Sequence, residues 1–292
     1  TLVSINRVNP TGGDPFYYHT QANMLADRIG YSEPFRWAES AVAVPSALHP
    51  PLLSTWLALG STFGARTWLA HKALTALLAV IVVPLAGLVA RRLAGDRAGL
   101  ATAVLVAAYP NLWVIDGALW PEGVYAALVA ATVLACYRWW DRPDLGRAAA
   151  WGLALALASL TRGEGLFLYP LLVVPVVLWR RGLSWGDRAR TVVAVGAVGL
   201  LLMAPWTARN VRAFDTLVPL STNSDELLFY ANCPESYHGP FLGYWSFNCQ
   251  EQERARTGEP PGDEADKARY WREKGITYAR ENASRIPVVV GA

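Results

Sequence analysis

Residues 68–90 of the chain read WLAHKALTALLAVIVVPLAGLVA, an apolar run in which Lys72 is the one formal charge. A helix that crosses a bilayer needs about 20 predominantly apolar residues. This run is long enough, and it predicts a membrane-spanning helix.

The composition of the whole chain agrees with such a helix. Of the 292 residues, 53% are hydrophobic and only 17% are charged, whereas a soluble domain carries about 25% charged residues. The formal net charge of +3 is too small to indicate a nucleic-acid partner. These values exclude a disordered chain and an ordinary cytosolic enzyme, and they favour a polytopic membrane protein.

Five more apolar stretches follow: Leu100–Ile115, Ala118–Tyr137, Ala148–Thr161, Gly165–Trp179 and Val192–Trp206. Together with Trp68–Ala90 they predict an all-α membrane protein of about six transmembrane helices. The fourth and fifth of the six are short and flank Arg162-Gly163-Glu164, which predicts a hairpin whose tip lies below the membrane surface. A long buried helix pair with different boundaries is the alternative.

Arginines cluster in alternate connections between these stretches, namely Arg91, Arg92 and Arg97, then Arg138, Arg142 and Arg147, then Arg180, Arg181, Arg188 and Arg190. Arginine-rich loops lie on the cytoplasmic side of a membrane. We therefore expect an outer loop at 1–67, a transmembrane bundle at 68–207 and a second outer segment at 208–285. Residues 286–292 read as the start of a further span, and the chain reads as a fragment at both ends.

The outer segments contain periodic patterns of their own. Starting at Asp14, an apolar stripe predicts one helix, and a second helix begins at Pro50; both patterns are typical of helices in the membrane interface. Residues 31–47 between them are expected to be a loop, and residues 263–282 a surface helix. The stripe of the first helix is formed by Tyr18, Ala22, Leu25, Ala26 and Ile29.

The three cysteines divide into two groups. Cys233 and Cys249 both fall in the second outer segment, so a disulfide is expected, with two free thiols as the alternative. Cys136 lies in an apolar span and reads as a small buried hydrophobe. His19 and His49 are a weak metal signal, because two histidines without a fixed spacing do not define a site.

Four acidic residues and one arginine lie near the ends of the predicted spans. Asp14 before Pro15 fits a helix N-cap as well as a functional carboxylate. Asp116 and Glu122 fit polar residues at helix ends. A cation such as Arg162 between two apolar spans needs an anionic partner, which is either Glu164 or a phosphate that its planar fork suits.

The order of these motifs resembles the membrane glycosyltransferases of the GT-C class. Within it, the chain is most similar to bacterial relatives of the protein O-mannosyltransferases and lipid A aminoarabinose transferases (glycosyltransferase family 39-like). The resemblance covers Gly13 to Trp206; one departure is that such proteins carry a spanning helix before the aspartate. It rests on Gly13-Asp14-Pro15-Phe16-Tyr17-Tyr18, His49-Pro50-Pro51-Leu52, Ala90-Arg91-Arg92-Leu93-Ala94-Gly95, Tyr109-Pro110-Asn111, Pro121-Glu122 and Leu160-Thr161-Arg162-Gly163-Glu164.

The resemblance implies a polyprenyl-phosphate sugar donor, an unidentified hydroxyl acceptor on a glycan, lipid or protein, and transfer at the outer face of the plasma membrane. Asp14 then occupies the place of the catalytic base of an inverting transfer. Arg162 would hold the donor phosphate in the same cavity, and His49, Tyr17 and Tyr18 would line the sugar pocket. Asp116, Glu122 and Glu164 are secondary acidic groups. No cofactor is indicated with certainty, and a divalent metal stays open.

Two other classes of function remain as alternatives. A transporter or flippase would also place charged residues at span boundaries, but the middle of each predicted span is almost wholly apolar and no internal repeat is evident. A non-catalytic membrane subunit is the third reading.

Overall fold

The computed structural model describes residues 9–292, except for the side chain of Asp116. In this range the chain is helical and contains no β-strand; Ser32 and Pro45 form an isolated bridge. The chain divides into two compact units. The first unit comprises the described part of Thr1–Pro45 together with Pro50–Trp206, and the second unit comprises Ser46–His49 with Thr207–Ala292.

The first unit is built from the helices up to Trp206. They are α1 (Gly13–Ala26), α2 (Pro34–Ser40), α3 (Leu52–Thr62), α4 (Trp68–Ala79), α5 (Val82–Ala108), α6 (Pro110–Gly117), α7 (Glu122–Asp141), α8 (Leu145–Thr161), a 3-10 turn (Gly163–Phe167), a π turn (Tyr169–Val173), α9 (Val174–Trp179) and most of α10 (Trp185–Phe214).

Helix α5 reverses direction in its middle. Ala94 and Gly95 have non-helical backbone angles, and Gly95 has a φ of 83°. A Cβ placed on Gly87 would lie 3.1 Å from the carbonyl oxygen of Gly99, although 12 residues of straight helix span about 18 Å. The two halves of α5 are therefore antiparallel, and the turn falls among the arginines that the sequence places in a loop.

Three helical segments in the described chain are long and apolar enough to cross a membrane: Trp68–Ala108, Glu122–Asp141 and Trp185–Phe214. Leu145–Thr161 and Gly163–Trp179 are apolar but shorter. Side chains such as Leu105, Leu171 and Leu201 are largely exposed, which is the pattern of a lipid-facing surface. The count of six crossings stays a prediction, since the reversal in α5 and the two short helices are compatible with it but do not establish it.

The third span begins later than its apolar stretch predicts. Helix α7 starts at Glu122, because Leu119 adopts a φ of 66° and Pro121 caps the helix. Glu122 thus stands at the very end of a membrane-length helix, where a carboxylate benefits from the helix dipole.

The core of the bundle contains Trp139 of α7 and Trp151 of α8, both completely buried with ring centroids 5.6 Å apart. Next to them, Gly152 lets α8 approach the backbone of Val195 in α10, where a Cβ on Gly152 would lie 2.7 Å from the Val195 carbonyl oxygen. Small residues at such crossings are typical of membrane helices.

Replacing Gly152 with alanine is expected to lower the free energy of unfolding by about 1–3 kcal/mol, because the added methyl group forces two helix backbones apart. Gly196→Ala is the matched control, since Gly196 lies in α10, which packs against α8 at Gly152, and nothing lies within 4 Å of its added Cβ. Thermal unfolding of both variants in detergent measures the effect. Equal melting temperatures for the two variants would contradict the close crossing.

The N-terminal helices α1 and α3 pack against each other. In the predicted stripe of α1, Tyr18 and Ala22 are buried, but Gln21, which the stripe left out, is also buried. Its amide donates to the Tyr17 hydroxyl at 2.7 Å. Because this hydrogen bond satisfies the amide, the polar side chain of Gln21 can be buried in the core. A position of α1 and α3 in the membrane interface stays a prediction.

Two local expectations for this region are wrong. Residues 31–47 contain helix α2 and are not all loop: Glu33 caps it by accepting from the backbone N–H groups of Phe35 and Arg36, and Pro34 starts it rather than breaking it. The N-cap of α1 is Gly12 and not Asp14, which stands inside the first turn. A carboxylate there still interacts favourably with the helix dipole.

The second unit contains the end of α10 and the C-terminal helices. These are α11 (Asn223–Ala231), α12 (Pro234–Tyr237), a 3-10 turn (Gly239–Phe241), α13 (Asn248–Thr257), α14 (Glu264–Glu281), a 3-10 turn (Ala283–Arg285) and α15 (Ile286–Gly291). Helix α14 matches the expected surface helix, and Asp263 starts it with a capping box to Asp266.

The disulfide Cys233–Cys249 closes the loop between α11 and α13. Trp271 of α14 stacks on Phe229 with ring centroids 5.0 Å apart, beside the disulfide. Closing a loop of this length stabilises the folded unit by about 3 kcal/mol on a chain-entropy model. Cys136 is a free, buried thiol in the first unit.

The short segment Ser46–His49 is held by hydrogen bonds inside the second unit. Arg209 donates to the Ser46 carbonyl oxygen, Ser221 donates to the Leu48 carbonyl oxygen, and the carboxylate of Glu264 accepts from the Ala47 N–H at 2.7 Å. Burial raises the pKa of Glu264, despite hydrogen bonds from Ser46, Ala47 and Thr222 that act in the opposite direction.

The raised pKa of Glu264 gives an expected pH dependence. A carboxyl group with a folded pKa above its unfolded value (about 4.3) favours folding below that value, and this contribution is lost as pH rises through the folded pKa. Glutamine cannot titrate, so the stability of Glu264→Gln relative to wild type should improve between about pH 4.5 and pH 8. Melting temperatures across this range test the effect; a pH-independent difference would contradict it.

Candidate active site

Arg162 lies at the junction between helix α8 and the following 3-10 turn. It is the C-cap of α8, in an extended conformation, and its N–H donates to the Ala158 carbonyl oxygen. The turn folds tightly back because Gly165 has no side chain: a Cβ there would lie 2.7 Å from the backbone nitrogen of Ser159. This backbone places a long cationic side chain at the end of an apolar helix.

The guanidinium group of Arg162 is bound by two carboxylates. It pairs with Glu164 at 2.9 Å and also with Glu122, which is 40 residues earlier in the chain. The Arg162 side chain is still 30% exposed. The Glu164 partner considered from the sequence is therefore present, but the arginine is not closed off from solvent.

Glu122 contributes a second feature to this cluster. One carboxylate oxygen pairs with Arg162, while Oε2 is buried and has no hydrogen-bond partner within residues 9–292. A buried acceptor without a partner is unusual in a native structure. Such an atom is suited to accept a hydrogen bond from a ligand hydroxyl.

Tyr18 of α1 connects this cluster to Asp14. The Tyr18 side chain is 1% exposed. Its pKa is raised, first by burial and then by the negative charge of Asp14, with a smaller raising effect from Glu122 and a lowering effect from Arg162. The phenol therefore lies within electrostatic reach of Asp14, Arg162 and Glu122, which are distant from one another in the sequence.

The remaining predicted site residues have different positions. Tyr17 is buried, and its hydroxyl accepts from Gln21, while its ring lies edge-on to Tyr18 with centroids 5.8 Å apart. His49 is buried and belongs to the second unit, so its relation to Asp14 and Arg162 stays a prediction. The side chain of Asp116 lies outside the described residues.

A histidine pair next to this region was not predicted as a pair. His19 of α1 and His71 of α4 place their Nδ1 atoms 3.0 Å apart, and Nε2 of His71 is 2.9 Å from the hydroxyl of Ser61. The Ser61 hydroxyl donates its one hydrogen to Asn23 Oδ1, so it must accept from Nε2–H of His71. His71 Nδ1 then carries no hydrogen and accepts from Nδ1–H of His19. The sequence gives no signal for this pair, because His71 is a single histidine in an apolar run. The packing of α1 and α4 brings His19 next to it.

The histidine pair makes its described contacts within the first unit. Burial lowers the pKa of His19 to about 4, so that the ring is neutral at pH 7. Its ring also stacks on Trp68 with centroids 4.0 Å apart. In the part of the chain that the structure describes, no group of three metal-binding side chains comes together.

The geometry of the first unit thus defines a class of protein. It is a helical membrane-bound protein in which an arginine and two glutamates form a cluster at helix ends, within electrostatic reach of a buried tyrosine that also senses an aspartate. A cation that remains partly exposed can hold an anionic group, and a nearby carboxylate can accept a proton. The class is therefore a helical membrane protein with a charged cluster at its helix ends.

Comparison with protein families agrees with this class. Residues 48–208 match the family described as dolichyl-phosphate-mannose-protein mannosyltransferase. The match covers more than half of the chain, and the chain therefore belongs to this family of GT-C membrane glycosyltransferases, as the sequence motifs predicted. Glu122, Arg162 and Glu164 lie inside the matched residues, whereas Asp14, Tyr17 and Tyr18 lie before them. Comparisons with curated proteins and with solved structures found no match.

Proposed function

We propose that the protein transfers a sugar from a polyprenyl-phosphate donor to an acceptor hydroxyl at the outer face of the membrane, with inversion at the anomeric carbon. The observation that carries the proposal is the position of Tyr18, whose phenol is within electrostatic reach of Asp14, Arg162 and Glu122. A base and a phosphate-binding cation are the two groups that such a transfer requires, and both would act within electrostatic reach of this buried side chain.

The proposed reaction is a single displacement. The acceptor oxygen attacks the anomeric carbon while its proton passes to the Asp14 carboxylate. The bond between the anomeric carbon and the phosphate oxygen breaks, and its electron pair leaves with the polyprenyl phosphate. Arg162 stabilises the charge that develops on this leaving group.

The two glutamates have a supporting role in this proposal. Before the donor binds, Glu122 and Glu164 hold the guanidinium group in place, because a cation beside apolar helices needs an anionic partner. The donor phosphate then competes for the exposed part of Arg162. The unpartnered Oε2 of Glu122 is free to accept a hydrogen bond from a sugar hydroxyl.

A lipid donor also accounts for the membrane setting of the site. The polyprenyl chain would lie along the exposed apolar side chains of the bundle, and the sugar would reach the helix ends where Arg162 and Glu122 stand. We propose the plasma membrane, an outer active face and about six crossings on the basis of the arginine distribution. The transferred unit is a hexose or pentose, with mannose favoured by the family description.

The test is sugar transfer by the full chain in proteoliposomes that contain radiolabelled polyprenyl-phosphate mannose and a membrane extract as acceptor. We expect label to leave the lipid and enter a product, with no transfer from a nucleotide-linked mannose. Movement of intact labelled lipid across the bilayer without product would instead identify a flippase and contradict the proposal.

A further inference from the structure

A groove in the second unit lies between helices α13 and α14, outside the residues that match the family. Its volume is about 720 Å³, which is within the range of small-molecule binding sites, about 300–1,000 Å³. No catalytic role considered above uses it.

The helical spacing of the lining residues shows that the groove runs along both helices. Helix α14 contributes residues from Tyr270 to Glu281 at intervals of three and four, and α13 contributes Gln252, Glu253 and Arg256 in the same way. Eleven helical steps are about 16 Å long. The groove therefore suits an extended chain-like ligand rather than a compact one.

The floor of the groove is fixed by Glu253, whose side chain is 12% exposed. This carboxylate accepts from Lys274 at 2.8 Å and from Arg256 at 2.8 Å, with a weaker contact to the Tyr270 hydroxyl. The disulfide at Cys249 holds the start of α13. Side chains held in this way lose little conformational entropy when a ligand binds.

The rim offers groups that are free for a ligand. Glu273 and Glu281 line the groove, and within residues 9–292 neither side chain has an ion pair or hydrogen bond. Arg256 is 69% exposed despite its contact with Glu253. Tyr278 adds a phenol with an apolar ring and a polar tip. Hydrogen-bond acceptors and donors therefore alternate along the wall.

This lining selects one class of ligand. Three glutamates against two cations disfavour a nucleotide or another phosphorylated ligand. A helical peptide needs a continuous apolar groove. Here the apolar surface of Phe229, Pro234 and the tyrosine rings is interrupted by charged side chains. A sugar hydroxyl donates and accepts at once, so an oligosaccharide can satisfy carboxylates, guanidinium and phenols in succession.

We propose that this groove binds a short oligosaccharide. Carbohydrate binding by the groove does not rest on the proposed function.

The experiment measures binding of mannotriose, galactotriose and maltotriose to the purified full chain by saturation-transfer NMR, in a detergent without a sugar headgroup. At least one of them should bind saturably below about 10 mM. The double variant Glu273→Gln with Glu281→Gln should weaken binding by at least tenfold. Glu251→Gln, an exposed residue of α13 outside the groove, should bind like wild type.

Several outcomes would overturn the proposal: no saturable binding of any of the three sugars, unchanged affinity in the double variant, or binding of a lysine-rich peptide instead. Asp14→Asn separates this inference from the proposed function, because it should lose transfer and keep sugar binding. Retained transfer in Asp14→Asn would contradict the catalytic role of Asp14, while the binding result for the groove would stand.

Discussion

Replacing Asp14 with asparagine is expected to lower the rate of sugar transfer by about 100- to 10,000-fold, which is the usual contribution of a positioned general base. Asparagine has nearly the same shape, so α1 should still form, but its amide cannot take the acceptor proton. The measurement is initial rate of label transfer in proteoliposomes, with circular dichroism and melting temperature to verify the fold.

A matched control for this variant exists on the same helix. Asp27 stands at the other end of α1, where it is exposed and paired with Arg66 at 2.6 Å. Asp27→Asn removes the same charge from the same element without touching the proposed site, and it should transfer at nearly the wild-type rate. Full activity in Asp14→Asn would show that Asp14 is not the catalytic base and contributes only a charge near the start of α1.

Replacing Arg162 with glutamine is expected to lower kcat/KM by at least about 100-fold, because a fixed donor to a developing negative charge contributes on this scale. Arg162→Lys keeps the charge but loses the planar fork that binds phosphate through two hydrogen bonds, so an intermediate rate is expected. Arg92→Gln is the control, since Arg92, like Arg162, is paired with a carboxylate of α7, in this case that of Asp141.

The Arg162 result needs a second variant, because glutamine at this position removes the partner of both Glu122 and Glu164 and can destabilise the fold. Glu164 is 51% exposed and can be hydrated, whereas Glu122 has a buried oxygen. The double variant Arg162→Gln with Glu122→Gln removes both charges and should recover the melting temperature. If Arg162 binds the donor phosphate, transfer stays low in the double variant. Recovery of transfer together with stability would show that Arg162 serves only as the partner of Glu122.

Several features of the fold could be predicted because they depend on residues close together in the sequence. The apolar runs gave the membrane-length helices, Asp263 gave the start of α14, and the arginines at 91–97 marked the reversal in α5. The bond between Cys233 and Cys249 followed from two cysteines in a turn-rich segment that the arginine distribution predicts to be outer. In each case a local physical preference and the final structure agree.

Other features depend on packing between distant residues, which a single sequence does not encode in a readable way. The second partner of Arg162 is Glu122, 40 residues away, and α7 must pack beside α8 before the pair can form. Gln21 is buried because Tyr17 satisfies it, although its polarity predicts a surface position. Ser46–His49 belongs to the second unit because it forms hydrogen bonds to Arg209, Ser221 and Glu264. No sequence motif predicts these hydrogen bonds.

The site itself shows the same division. Asp14, Tyr18 and Arg162 were singled out from motifs, and the structure places Tyr18 within electrostatic reach of the other two. The unpartnered oxygen of Glu122 and the groove beside Glu273 became visible only with the side chains in place. Catalytic roles for all of these residues remain proposals that the variants above can decide.

The most direct test of the central claim is a cryo-electron microscopy structure of the full chain with a polyprenyl-phosphate sugar bound. The account predicts the donor phosphate within hydrogen-bonding distance of the Arg162 guanidinium group, about 2.7–2.9 Å, and the Asp14 carboxylate on the opposite side of the anomeric carbon. A phosphate bound elsewhere, or packed side chains separating Asp14 from the anomeric carbon, would contradict it.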